Sequence, residues 1–397
     1  MTTRLTNQAL DIFSTSFRHL GLCPVEWNGK TKQFVYHPLS RKLLRWGVMT
    51  FILVPLTGLI PSLVLLSAHL FGSVTLSLLK LLILGATLVI ALFTIIAEIV
   101  QLLFVECALI GLANLMRLEK RVKSEPSSTN LHPVKRFDIP VIVAIIFVSL
   151  FSIYPYFISP LGAYRDLDPL SILLKNFAPS LNSQFLQVLR FLVLQILNIP
   201  PISMACRTFS LAVCGLTMSV RLVNYVISEM ENNSARLALS PTHAFQTFQT
   251  YVELEIVLSL AYDITARASA WLMTVGLSCS VMFNFFTIGL HRAIPFPLYL
   301  YFPSVAGMIP FVIDALLPVA INVYENGCKI KCGWERSIAS FSWCNKKWLR
   351  RRVRAVRPVR IYAGILGYNF FWLKRETKST YYSTIVEVTI DALLSMQ

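Results

Sequence analysis

Seven apolar stretches dominate this chain, and each is long enough to cross a bilayer as a helix. They run Trp46–Leu70, Leu76–Phe104, Ile139–Ile158, Phe185–Val223, Ala268–Leu290, Pro297–Tyr324 and Ser379–Gln397. At 1.5 Å per residue, about 20 residues cover a hydrocarbon core of ~30 Å. Only 14% of the residues are charged, against roughly 25% in soluble domains. The chain therefore reads as an all-α, polytopic membrane protein. The fourth stretch is too long for one crossing and contains Pro200-Pro201, so it bends or continues past the membrane. The first forty-five residues are polar and lack the short apolar core of a cleavable signal peptide.

The charges between the spans give the orientation. Lys plus Arg number 7, 1, 6, 2, 3, 1 and 14 in successive segments from the N-terminus. Positive charge accumulates on the cytoplasmic side. The alternation predicts seven transmembrane helices with the N-terminus cytoplasmic and the C-terminus extracellular. Splitting the fourth stretch at its prolines would move the most basic segment outside, so it counts as one span. This orientation excludes G-protein-coupled receptors, whose N-terminus lies outside. Their Asp-Arg-Tyr and Asn-Pro-x-x-Tyr signatures are also absent.

The organisation follows. Residues 1–45 form a cytoplasmic N-terminal segment, and 46–324 a six-helix bundle with inner helical extensions. Residues 325–378 are a basic cytoplasmic segment, and 379–397 are the seventh helix. The sequon at Asn232-Asn233-Ser234 then lies in the cytosol and escapes glycosylation. Cys328, Cys332 and Cys344 have no histidine nearby to complete a metal set. The run Lys346–Arg360, KKWLRRRVRAVRPVR, should sit against anionic lipid at ~1 kcal/mol per charge. The thirteen residues Ile361–Leu373 are too few to span. They read as a short buried or interfacial helix, opened by Pro358 and packed closely through Gly364 and Gly367.

The last span is the least apolar. Thr380, Thr384, Glu387, Asp391 and Ser395 step by four, three, four and four, which makes one helical stripe. A carboxylate facing lipid costs on the order of 3 kcal/mol, so this stripe faces water or protein. Either Glu387 and Asp391 line a cation pathway, or Arg190 or Arg207 on the fourth span neutralises them. A second cluster gathers in the outer halves of four spans: Tyr154 and Tyr156, Gln187 and Arg190, Phe283 and Phe286, Tyr299 and Tyr301. It encloses a small-molecule pocket or belongs to the aromatic belt at the interface. Glu98 and Asp314 read as polar residues satisfied by packing near helix ends. The six histidines are isolated, and no phosphate loop, nucleophile elbow or zinc-protease motif occurs. Neither an enzyme nor a cofactor is expected, and in a polytopic chain the basic runs do not suggest nucleic acid.

The C-terminal residues carry a resemblance. Thr380-Tyr381, the five residues YSTIV, then Glu387-Val388 are similar in spacing to the Thr-Tyr…Gln-Phe signature of the insect gustatory receptor family, within the arthropod odorant/gustatory receptor superfamily. The preceding AGILGYNFFWL also resembles the approach to the last span there. The resemblance implies a ligand-gated, non-selective cation channel of the plasma membrane of sensory neurons, a homo- or heterotetramer opened by a tastant or odorant. It implies a central pore of four last helices, an anchor domain of cytosolic extensions, and a ligand pocket in each outer bundle. Glu387 would line the pore and Val388 would form its constriction; because Val is smaller than Phe, closure would need tighter helix approach or a second ring such as Ala392. Glu387-Val388 in place of Gln-Phe adds carboxylates to the pore and narrows the side chain at the gate. A metabotropic seven-helix receptor and an ion-coupled secondary transporter are the competing classes.

Overall fold

The computed structural model describes residues 4–124, 139–177, 184–232, 241–289, 291, 298–339, 346–365 and 367–395. Six helical rods among them are long and apolar enough to cross a membrane: Arg41–Leu70, Leu78–Lys123, Ile139–Asn176, Gln187–Asn232, Tyr262–Gly289 and Tyr301–Ile338. The chain is a multi-pass membrane protein. The last helix is not among the six, because its polar stripe lowers its hydropathy.

The first rod joins α2 (Leu44–Val48) to α3 (Ile60–Leu70) through π-helical turns at Met49–Leu53 and Pro55–Leu59. Pro55 and Pro61 offer no N–H donor, and a widened turn absorbs such a gap. The second rod is α4 (Leu78–Ser124). The third comprises α5 (Ile139–Tyr164) and α6 (Pro169–Phe177). The fourth, α7 (Gln184–Asn232), runs unbroken through Pro200 and Pro201 for 49 residues. That is about 73 Å, more than twice the hydrocarbon thickness. The others are α8 (Pro241–Leu260) with α9 (Tyr262–Gly289), and α10 (Tyr301–Ala339).

The surplus lengths of α4, α7 and α10 gather with α8 at one end of the bundle. Trp334 of α10 is fully buried there, edge-on to Phe248 and Tyr251 of α8. Arg121 of α4 reaches Glu253 of α8 at 2.6 Å, an exposed pair that contributes little. The short helix α11 (Lys346–Ala355) lies along α10 with Leu349 and Val353 buried, and the Tyr251 hydroxyl donates to the Arg357 carbonyl at 2.6 Å. Burial pushes the Tyr251 phenol well above its ordinary range. Cys344 and most of the sequon lie outside the described residues.

Among the described residues, two parts depart from an all-helical chain. Residues after α1 (Arg4–Ser16) form a hairpin of β1 (Val25–Asn28) and β2 (Gln33–Tyr36). Trp27 donates to Asp11 at 2.9 Å, and Lys32 pairs with the same carboxylate at 2.6 Å. This N-terminal unit packs on α5 and α7 through Leu10, Phe13 and Phe17. The second departure overturns the short helix expected at Ile361–Leu373. This stretch is a hairpin of β3 (Tyr362–Ile365) and β4 (Tyr368–Trp372). An apolar run of this length fits strand or helix equally, and its aromatic residues and glycines favour the pleated form. The hairpin rests on α9, where Tyr262 hydrogen-bonds Asn369.

Both hairpin glycines are required by geometry. Gly367 has φ +86°, and a Cβ on Gly364 would collide with the Tyr368 carbonyl. Gly367→Ala is expected to cost about 1–2 kcal/mol, and Gly364→Ala about 1–3 kcal/mol as the backbone is pushed apart. Gly47, with nothing within 4 Å of a would-be Cβ, is the control. Melting temperatures of the purified protein should fall for the first two and not for Gly47→Ala.

Candidate functional site

The hairpin delivers the chain into α12 (Arg375–Leu394), which begins four residues before the expected span. Lys374 and Thr377 cap its start, the Lys374 N–H donating to the Thr377 hydroxyl at 3.1 Å. Tyr381, Ile385 and Thr389 recur every four residues and are buried. This face lies mainly on α9. Thr380, Glu387, Asp391 and Ser395 are exposed, and Thr384 is half-buried. So are the apolar Val386, Val388, Ile390 and Leu394 exposed. Glu387 accepts a hydrogen bond from Ser383 at 2.8 Å.

The two arginines weighed as partners for these acids are engaged elsewhere. Arg190 donates to the Ser171 carbonyl at 2.8 Å. Arg207 is buried against Glu98 at 3.4 Å and donates to the Val25 carbonyl at 2.7 Å. The reading in which they neutralise Glu387 and Asp391 is therefore overturned. Glu98 is satisfied by its surroundings, as expected, but lies in the middle of α4 rather than near a helix end. It is fully buried and also accepts from Trp46 and Thr208. Asp314 is exposed and pairs with Lys378 at 2.5 Å.

Inside the bundle α4, α5, α7, α9 and α10 surround a cavity of about 440 Å³, within the range of small-molecule sites. Its lining follows α10 from Tyr301 to Ala320, about 28 Å at helical rise. The walls are mostly apolar and aromatic. Tyr154, Phe283, Phe286 and Tyr301 all line it, with the Tyr154 and Tyr301 rings 5.8 Å apart and Phe283 5.9 Å from Tyr301. The other four expected pocket residues do not. Tyr156 points away, its ring 6.3 Å from His19 of the N-terminal unit. Gln187 is exposed, Arg190 binds the start of α6, and Tyr299 donates outside the lining to the Thr287 carbonyl.

The sequence reading missed the cavity's polar groups. Ser159 donates to Gln195 at 2.8 Å. Asn198 and Ser269 line the cavity with side-chain atoms that make no hydrogen bond of ordinary geometry. Asp168 also lines it, and Asp-Pro-x-Ser at a helix start was a legible capping signal. The most consequential omission is Tyr381 of α12. Its ring forms part of the wall, and its hydroxyl donates to the Met273 carbonyl of α9 at 2.8 Å. Gly276, one turn along, leaves room for that hydroxyl: a Cβ there would stand 2.8 Å from it.

No family model matches the sequence, and no curated protein matches it. Among solved structures the chain is similar to the insect olfactory receptor OR5 from Machilis hrabei, at TM-score 0.60 and 12% identity, covering 97% of each chain. The same receptor in complex with eugenol matches at TM-score 0.59 and 12% identity, covering 98% of each. The chain thus has an insect olfactory receptor's fold over nearly its whole length.

Proposed function

We propose that this chain is a chemosensory receptor of the insect odorant/gustatory type, in which a small molecule bound in the cavity opens a cation pathway built from α12. The observation that carries this reading is Tyr381, one side chain that is both cavity wall and anchor of α12 on α9. A ligand touching that ring acts directly on the helix that bears the acidic stripe. The shared fold supports the assignment.

The exposure of α12 supports a pore in an oligomer. A spanning helix that leaves Glu387 and Asp391 uncovered beside Val386, Val388 and Ile390 would pay about 3 kcal/mol per acid in lipid. Four copies around an axis, homomeric or with a second subunit type, turn that stripe toward water. In this arrangement Thr380, Thr384, Glu387, Asp391 and Ser395 line the pathway, and Val388 constricts it. α12 is the seventh span, the N-terminus is cytoplasmic, and the gathered helix ends form the cytosolic anchor. Epitope tags at both termini test that orientation, and an extracellular N-terminus would overturn it.

The pore is tested by permeability. In cells expressing the receptor, a ligand panel read by calcium imaging, with and without partner subunits, identifies an activator. Glu387→Gln and Asp391→Asn should then lower the permeability of divalent relative to monovalent cations at least about threefold. Unchanged ratios in both variants and in the double would remove α12 from the pathway. Activator-evoked currents far above carrier turnover would exclude a transporter.

A further inference from the structure

Among the described residues, no cation pairs with Asp168. This residue caps α6, accepting the Ser171 N–H on one carboxylate oxygen at 3.0 Å, with Pro169 at the first helical position. The neutral Asn198 amide also interacts with this carboxylate. Three basic side chains of the neighbouring segments are committed elsewhere. Lys175 pairs with Asp166 at 2.6 Å, Arg190 holds the Ser171 carbonyl at 2.8 Å, and Arg165 lies over the Tyr164 ring at 5.7 Å. The cap does not need the charge, since Ser, Thr or Asn caps a helix as well.

Asp168 lines the cavity, as do the aromatic residues Phe283, Phe286, Tyr301 and Phe302. Leu161 and Leu167, which precede it in sequence, pack on the cluster of Phe283, Phe286 and Phe302, and Tyr301 lies 5.3 Å from Phe302. Asp168 is half-buried, and a carboxylate partly withdrawn from water without a counter-charge carries a cost. A cation brought in by a ligand would remove that cost, and aromatic faces would add attraction for it.

We propose that the cavity selects protonated amines with an apolar or aromatic body, the ammonium seated on Asp168 and the body among the aromatic rings. This rests on the reading of the cavity as the ligand site and names its ligand class. It sets the site apart from one for sugars, which would need many polar walls, and from one indifferent to charge.

The test uses the full-length protein in lipid nanodiscs and two probes of one skeleton, N,N-dimethyl-3-phenylpropylamine and 3-phenylpropanol, with binding measured by calorimetry. The wild type should bind the amine at least about tenfold more tightly than the alcohol. Asp168→Asn, which keeps the cap, should weaken the amine about tenfold or more and the alcohol less than about twofold. Equal wild-type affinities, no amine binding at millimolar concentration, or equal losses in the variant would overturn the proposal. Should the variant fail to fold, the wild-type preference decides, together with its loss once pH passes the amine's own pKa. Ala86→Phe, which fills the cavity, tests the underlying reading separately. Loss of both probes keeps the cavity as the site whatever Asp168 does, and binding unchanged for both would overturn cavity and proposal together.

Discussion

Replacing Tyr381 with phenylalanine is expected to cut the ligand-evoked current about fivefold while ligand affinity on the purified protein stays within about twofold. Phenylalanine keeps the ring in the cavity wall and loses only the hydroxyl that donates to the Met273 carbonyl. A hydrogen bond of this kind is worth about 1 kcal/mol net, which biases a two-state equilibrium about fivefold. The binding surface remains and the tether between cavity and α12 is cut, so affinity and current should separate. Gly276→Ala should act on the same contact from the other side, because its Cβ would meet the Tyr381 hydroxyl at 2.8 Å. The double variant should then be no worse than Tyr381→Phe alone, since the obstructed atom is gone. Paired binding measurements and whole-cell currents on the three variants check this. Additive losses, or current and affinity falling together, would show that Tyr381 only packs.

The spans were legible because about twenty apolar residues in a row have few alternatives in water. What those spans face was not. The helices are apolar nearly all round, so their periodicity hardly separates lipid side from bundle side. That is why Tyr154 and Tyr301 were placed in the cavity wall together with Tyr156 and Tyr299, which lie outside it. α12 differed because its polar residues are sparse enough to mark a face. The stripe at Thr380, Glu387, Asp391 and Ser395 is exposed, and Tyr381, Ile385 and Thr389 form the buried side. The hairpin at Tyr362–Trp372 was hidden for another reason. Its strand character depends on Gly364 and Gly367 allowing a close backbone approach, and glycines in an apolar run suggest helix packing equally well. Partners distant in sequence were also beyond reach. Nothing local to Arg207 distinguishes Glu98, 109 residues away, from Glu387 as its counter-charge.

That pair carries the largest expected loss of stability. Arg207→Met should destabilise the protein by about 3–5 kcal/mol, the cost of leaving a buried carboxylate without its cation. Glu98 is fully buried and Arg207 nearly so, and neither can turn to solvent. Glu98 draws three donors: Arg207, Thr208 at 2.5 Å and Trp46 at 3.0 Å. Arg207 in turn holds the Val25 carbonyl at 2.7 Å, beneath the Phe13 ring. Through these bonds the first rod, α4, α7 and the N-terminal unit meet at one charge pair. Removing the arginine therefore strands a charge and releases β1 together. Adding Glu98→Leu to Arg207→Met removes the stranded charge, so the double variant should be more stable than the single. It should still fall below the wild type, because Trp46 and Val25 keep polar groups without partners, at about 1–3 kcal/mol each. Thermal melting of the three proteins in detergent gives the order. Hydrogen exchange across residues 21–40 should rise in Arg207→Met before it rises in the bundle. A loss under about 1 kcal/mol for Arg207→Met, or a double variant less stable than the single, would mean that the N-terminal unit is held by its apolar packing on α5 and α7 rather than by this ion pair.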